Sequence, residues 1–472
     1  MKIFKISCLL FFISVFAFFN TPDVPAAFAA KKDKAALSKS KKRAGADAAK
    51  AKEEKKDIFK ILEEGVAEEI RASINETNVN DKNADGDTPL LFVVKNTDNA
   101  KIIPYFKRLG ANFEETDKDG FTPLMAALMR ENINYEILSA LIKSKANINA
   151  EYKKSNSLYN GSTVLHLILS AQDPDINALK LLIDSGAADV NAKNAAGLTP
   201  LAVAVSNNSG AQAISALLEA GANIEEKDAR GFTPLMLALD KNYMNPEIAV
   251  FLIRSKAGVN VLADALQRGG DKHTPLLLAV NRPQTKPFVI KELIDAGADI
   301  NVKNEKGQSP IMTAALKAYN KEVINVLAQA GAALNEPDAD GNVPLILAIT
   351  KNLLNHEIAV ALITNKANAN AVHKDDLMTP LMYALEDPST PTVVINTLLK
   401  YHANVNAANV KGETPLMLAA KNHNDVIIKM LNIAKAKKDA VDADGKTAYD
   451  YALSNPKIQN KEALKQKKFK LF

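Results

Sequence analysis

The sequence predicts an all-α solenoid, a one-dimensional array of short helical pairs with a cap at each end. Three observations carry that expectation. The chain has 472 residues, more than one hydrophobic core organises, since single cores stop growing at about 250–300 residues. The tripeptide Thr-Pro-Leu recurs seven times, first at Thr88-Pro89-Leu90 and last at Thr414-Pro415-Leu416. Four degenerate copies fill the gaps: Thr163-Val164-Leu165, Ser309-Pro310-Ile311, Val343-Pro344-Leu345 and Thr447-Ala448-Tyr449, so that eleven matches follow one another every 33 to 41 residues. Self-similarity at such a period marks a repeat architecture, in which each unit packs only on its neighbours.

In chain order, the first element is a leader. Lys2 and Lys5 precede the apolar run Ile6–Phe19, and Ala27-Phe28-Ala29 supplies a small-x-small site. This is the pattern of a secretory signal peptide, residues 1–29, with cleavage after Ala29. An uncleaved membrane anchor is the competing reading, but the run is shorter than the ~20 residues that span a bilayer. Cys8, the single cysteine, lies inside this run, so the mature chain would hold no thiol, as suits an oxidising compartment. Residues 30–56 form a low-complexity Lys/Ala linker whose 31–56 stretch carries a local charge of +7, while 57–472 sums to −3. A solvated linker and an electrostatic tether to an anionic surface both fit it.

The repeated unit can be justified from Gly231-Phe232-Thr233-Pro234-Leu235-Met236-Leu237-Ala238-Leu239. Gly231 closes a turn that needs positive φ. Thr233 caps a helix through its hydroxyl, and Pro234 takes the first helical position, where a missing N–H costs nothing. The helix is apolar all round, which makes sense only if neighbours cover it. A second helix follows at Pro246–Ile253. Each unit closes with a glycine C-cap and a short extended run, as in Gly221-Ala222-Asn223-Ile224.

Turn, helix, helix and extended run at about 34 residues resembles the ankyrin repeat, over roughly residues 57–470. The resemblance implies an ankyrin-repeat solenoid of about 11 repeats: an N-terminal cap at 57–87, repeats over 88–446 and a C-terminal cap at 447–472, with a second helix at Lys461–Lys470. The sequence departs from the family in two ways. The residue after Thr-Pro-Leu is typically a histidine that ties repeats together, yet here only His166 keeps it, and Met125, Met236, Met382 and others stand elsewhere. Apolar packing is expected to replace the tie. Lys145, Lys256, Lys366 and His402 stand where the C-cap glycine belongs, which predicts strain of roughly 1 kcal/mol each. The three lysines recur every 110 or 111 residues, the trace of a duplicated three-repeat block.

Composition narrows the function. The chain is 47% hydrophobic and 24% charged, with 6% aromatic residues and no tryptophan. Those figures exclude a disordered chain, and a single cysteine excludes a disulfide framework or a cysteine-based zinc site. Six scattered histidines show no metal spacing, and no phosphate loop or nucleophile motif is found. The expectation is a non-enzyme with no cofactor, no metal, no nucleic acid and no small-molecule substrate. Its partners are one or more proteins, with a membrane only if the leader stays or the basic linker binds an anionic surface.

In the family, the concave face binds proteins. Carried over by position, the turn-tip candidates are Lys82, Asn83, Asp117, Lys118, Lys193, Asn194, Lys227, Asp228, Lys303, Asn304, Asp338 and Asn409. Two inserted loops add candidates. Tyr152, Lys153, Lys154 and Tyr159 put two tyrosines in an otherwise polar projection, and Arg268 and His273 lie in its counterpart. Surface tyrosine gives contact area at low entropic cost. The leading expectation is an exported, periplasmic or secreted protein-binding scaffold of a bacterium; 51 lysines against 8 arginines hint at an AT-rich genome. A secreted effector that binds host proteins and an envelope-tethered structural scaffold stay open.

Overall fold

The computed structural model describes residues 58–465 except 66, 156, 158, 172, 241–244, 264–272, 283–284, 318–319 and 352–355. The leader at 1–29, the linker at 30–56, Arg268 and the basic run after Lys465 lie outside the described residues. The chain divides into two compact units, one ending at Ala229 and the other starting at Arg230.

In the first unit, α1 (Ile58–Glu64) and α2 (Ala67–Ser73) form a short helical pair ahead of the first Thr-Pro-Leu. Four pairs follow: α3 (Pro89–Asn96) with α4 (Ile103–Arg108), α5 (Pro123–Leu128) with α6 (Tyr135–Lys143), α7 (Val164–Leu169) with α8 (Ile176–Asp184), and α9 (Pro200–Ser206) with α10 (Gly210–Glu219). The second unit repeats the plan: α11 (Pro234–Leu239) with α12 (Pro246–Arg254), α13 (Pro275–Val280) with α14 (Pro287–Asp295), and α15 (Pro310–Lys317) with α16 (Lys321–Gln329). Then come α17 (Pro344–Thr350) with α18 (Glu357–Thr364), α19 (Pro380–Glu386) with α20 (Thr392–Lys400), and α21 (Pro415–Asn422) with α22 (Asp425–Ile433). The last pair is α23 (Ala448–Leu453) with a 3-10 turn at Lys461–Leu464, where an α-helix was expected. Among the described residues there is no β-strand.

At all seven Thr-Pro-Leu sites the threonine Oγ1 accepts the N–H three residues on, at 3.2–3.4 Å. The cap sets the helix start, and proline at the first position holds φ there. Within each unit the first helices stack on one another, α1 on α3 on α5 and α11 on α13 on α15, for example. That is why they are apolar on every side: Leu235, Met236, Leu237 and Ala238 in α11 are all 0% exposed. The second helices bury one stripe, such as Ile248, Ala249, Leu252 and Ile253 in α12, and turn the rest to water. Truncating a residue like Leu237 to alanine leaves a cavity between two repeats and costs about 3 kcal/mol.

The C-cap expectation holds in detail. Lys145, Lys256, Lys366 and His402 all have positive φ, between 63° and 72°. Each then leads into the closing bond that a glycine makes elsewhere. Ala146 N–H donates to the Leu141 carbonyl at 3.1 Å after Lys145, just as Ala222 N–H donates to Leu217 at 2.9 Å after Gly221.

The polar tie between repeats differs from expectation. His166 keeps the family's bond: its Nδ1 faces Thr163 N–H at 3.2 Å, and its Nε2 lies 2.9 Å from the Leu198 carbonyl of the next repeat. Burial pushes its pKa down. Methionine does fill the position elsewhere, with Met125 and Met236 fully buried. The tie itself survives in the run that was expected to be merely extended. Asn191 Nδ2 donates to the Gly221 carbonyl at 3.1 Å, and its Oδ1 accepts Asn223 N–H at 2.7 Å. Asn149, Asn260 and Asn370 make the same pair of bonds to the following repeat. A side-chain amide bonded at both ends satisfies backbone groups that the turn would otherwise leave to water.

Candidate protein-binding surface

The turn tips that join one helical pair to the next are built by their first residue. Asn83, Asp117, Asn194, Asn304, Asp338 and Asn409 each use Oδ1 to accept the N–H groups two and four residues on, at 2.8–3.1 Å. These side chains close the turn, which is why asparagine and aspartate stand there. Asp117, Asp228 and Asp338 are buried, at 7–9% exposure.

The tip lysines are engaged too. Lys82 pairs with Glu115 at 2.6 Å and Lys118 with Asp85 at 3.9 Å; Lys193 pairs with Glu226 at 2.6 Å, and Lys303 with Glu336 at 3.1 Å. Lys154 lies 3.8 Å from Asp119. Each of these pairs joins neighbouring tips within one unit. Lys227 is half-buried, and its carbonyl accepts the Lys193 ammonium at 3.2 Å. Lys153 is exposed.

The tyrosine loop corrects an expectation. Tyr152 is 2% exposed. Its ring packs on Phe121 with centroids 5.0 Å apart, and its hydroxyl donates to the Asp119 carbonyl at 3.0 Å. Burial raises its pKa. The loop is pinned where Tyr152 N–H meets the Ser162 carbonyl at 2.9 Å. An aromatic beside a neighbouring Phe gains more from covering it than from facing water. Tyr152 is therefore the loop's anchor, and Tyr159, 37% exposed and edge-on to it, is the ring left at the surface. In the counterpart loop His273 is half-buried and its carbonyl accepts Ala263 N–H at 3.0 Å.

Three features escaped the sequence reading. Seven residues after the capping threonine, Lys95 stands between Asp87 and Asp117, at 2.6 and 2.7 Å. Burial would lower its pKa, but the bonds to the two carboxylates outweigh that and hold it above the ordinary lysine value. At the same place in the second unit stands Asp240, with Arg230 at 3.3 Å and Arg282 at 3.2 Å. Aligning the repeats on Thr88 and Thr233 would have exposed this inversion of sign. The third is Leu377, whose φ is 56°. It falls two residues before Thr379, where the other described tips carry a positive-φ glycine, Gly341 and Gly412 among them. Its tip is one residue longer. Asp376 braces it, accepting Met378 N–H at 2.9 Å and the Tyr383 hydroxyl at 2.6 Å, with His373 Nδ1 3.2 Å away.

A model described as ankyrin repeats (3 copies) matches in overlapping windows from residue 47 to residue 466. The chain belongs to the ankyrin-repeat family. Human Rabankyrin-5 is 25% identical over 210 residues, which is 43% of this chain and 18% of that protein. Human palmitoyltransferase ZDHHC13 is 35% identical over 98 residues, 21% of this chain and 15% of its own length. Human neurogenic locus notch homolog protein 1 is 36% identical over 131 residues, 27% of this chain and 5% of that protein. The chain thus spans under a fifth of the length of each of these three relatives. Among solved structures, the ankyrin repeat domain of Bcl-3 aligns at a TM-score of 0.40 and 24% identity, covering 47% of this chain and 94% of that one. Among the described residues of the array, no group of histidine, cysteine and acidic side chains could hold a metal ion, and no helix is long and apolar enough to cross a membrane.

Proposed function

We propose that this chain is a non-catalytic scaffold that binds other proteins through the tips and first helices of its repeats. The observation that carries the reading is the state of the tips. Backbone turns, asparagine ties and ion pairs hold them in fixed register within each unit, and side chains such as Tyr159 and Val410 still face solvent. A pre-organised row of that kind lowers the ordering cost of association. Ankyrin arrays serve generally as protein-interaction scaffolds, which supports it.

We further propose that residues 1–29 direct export of the array and that the basic stretch at 31–56 stays with the exported chain. The lysine-led apolar run and Ala27-Phe28-Ala29 support export. Fractionation with N-terminal sequencing tests it: a mature start at Ala30 in a soluble fraction is expected, and an intact Met1 in the membrane pellet would overturn it. A photo-crosslinker placed at Tyr159 tests the scaffold reading. Capture of a discrete protein partner is expected, and its loss at Tyr159, at the other exposed tips and in the native compartment alike would refute it.

A further inference from the structure

The second helices turn one stripe inward and should be polar on the outside, and α20 and α22 break that rule. Each pair of the array ends in a residue with positive φ, from Gly110 to Lys435, which aligns the second helices on one another. Two places before it stands the last residue of the helix. It is polar or charged from Arg108 and Lys143 to Lys400, but in α22 it is Ile433. Ile433 is 72% exposed. Nine places before the same mark the residue is Lys101, Glu136, Glu247 or another polar one, Phe288 excepted, until α20 has Val393 and α22 has Val426. These two valines are 56% and 57% exposed. Val426 and Ile433 are seven apart and so share one side of α22, away from the buried Ile427, Ile428 and Leu431.

Charge changes in the same place. Residues 392–472 hold fourteen lysines, seven acidic residues and no arginine, a balance of +7, so that 57–391 sum to −10. Near the apolar patch stand exposed Lys400, Lys429, Lys435 and Lys437 against exposed Asp439. Asp425 is half-buried, and its carboxylate accepts the N–H groups of Gln459 and Asn460 at 3.1–3.3 Å. With both acids counted, the patch remains cationic. Beyond Lys465 the sequence runs Gln466-Lys467-Lys468-Phe469-Lys470-Leu471-Phe472, again lysine mixed with apolar residues.

These chemistries select the occupant. Three aliphatic side chains so exposed offer on the order of 300 Å², well below the ~800 Å² per partner that a stable protein interface buries. Protein hot spots favour tryptophan, tyrosine and arginine, with valine under-represented, and nucleic acid is met by arginine and aromatic rings. The patch holds none of these. Aliphatic residues among lysines suit a lipid interface instead. There the apolar side chains enter the acyl boundary, and each ammonium meets headgroup charge without a fixed geometry.

We propose that the outer face of α20 and α22 seats the end of the array on an anionic phospholipid surface, with Val393, Val426 and Ile433 entering the interface. This goes beyond the protein-binding reading and does not rest on it. The chain has no tryptophan, so one introduced by Ile433→Trp reports alone. The full chain is titrated with vesicles of phosphatidylcholine and phosphatidylglycerol, at roughly two to one, whose acyl chains carry bromine. Emission from position 433 should shift to the blue and be quenched. Emission from Gln329→Trp, at the same place on α16, should do neither. Without tryptophan, Ile433→Glu and Lys429→Glu should each weaken vesicle binding at least about fivefold, with unchanged circular dichroism spectra.

Vesicle binding with no response at position 433 would assign it to the basic stretch at 31–56 and overturn the proposal. An equal response at 329, indifference to Ile433→Glu, or the same response to pure phosphatidylcholine would do so too. A blue shift without vesicles would mean that the chain itself or a second copy covers the face. A shift produced by polyglutamate alone would make the partner an acidic protein. Either result sinks the lipid reading and leaves capture at Tyr159 to judge the scaffold.

Discussion

Tips of the first unit are joined by charge as well as by backbone, as where Ala195 N–H donates to the Asn160 carbonyl at 3.0 Å, whereas those near the end of the second are joined by backbone without ion pairs among the described residues. Lys82 reaches Glu115 and Lys193 reaches Glu226 across neighbouring repeats, both at 2.6 Å. Between the tips at 373–378, 409–413 and 442–446 no ion pair is found among the described residues. Main-chain bonds to the Asp376 and Lys411 carbonyls link them instead. Hydrated ion pairs occupy the long side chains that a partner would otherwise meet. Backbone links leave the side chains unspent, and there the chain displays aliphatic residues. The same contrast reaches the face of the first helices, where Lys95 sits between two carboxylates and its positional equivalent Asp240 between two guanidiniums.

The largest effect that would sharpen this contrast is expected at Lys95. Lys95→Met leaves Asp87 and Asp117, only 6% and 7% exposed, facing each other without a cation, at a cost of about 3 kcal/mol. Asp240→Asn should cost less, about 1–2 kcal/mol, because Arg230 is 45% exposed and can turn to water. Urea denaturation of the two variants decides it, and a greater loss for Asp240→Asn would break the comparison.

Next in size is His166→Leu. It strips the Leu198 carbonyl and Thr163 N–H of their partner and is expected to lower stability by about 2 kcal/mol. A melting temperature unchanged by that substitution would mean that the asparagine ties suffice alone.

Acidification should act through the same histidine and through His423, which is 6% exposed with Nε2 3.1 Å from the Leu385 carbonyl. Burial holds both pKa values below that of a free histidine. The unfolded chain then binds more protons than the folded one once pH falls below about 6.5. Stability is complete above that pH and is lost as pH falls through the interval between the unfolded and folded values. Thermal melts from pH 7.5 to 5 should decline, and the double variant His166→Leu/His423→Gln should decline less steeply.

The smallest effect concerns the exposed pairs. Lys82→Ala or Lys193→Ala should each cost below about 0.5 kcal/mol, and that loss should vanish in 1 M salt. A larger, salt-independent loss would show that these lysines act through packing of their stems.

Caps and turns were legible in the sequence because their causes are local. Thr233 needs only its own helix start, Gly231 its own turn, and Lys145 betrays its strain by standing in a glycine's column. The surface was harder to read because its causes lie one repeat away. Tyr152 looks like a surface ring until Phe121, thirty-one positions earlier, is known to lie beneath it. Asn191 looks like a turn residue, and only the next repeat shows what its amide holds. Asn83 and Asp117 carry the residue types of a binding surface for the same reason that they suit a turn, so type alone does not separate the two roles.

The asparagine tie has a consequence for how the array comes apart. Each amide binds only the repeat that follows, so within a unit the coupling is strictly between neighbours. An end repeat can peel away by giving up the bonds and helical contacts on one side only, while an inner repeat must break both of its interfaces. Amide protons should therefore exchange in a gradient, fastest around Asn80 and Val441 near the two termini and slowest towards the middle of each unit.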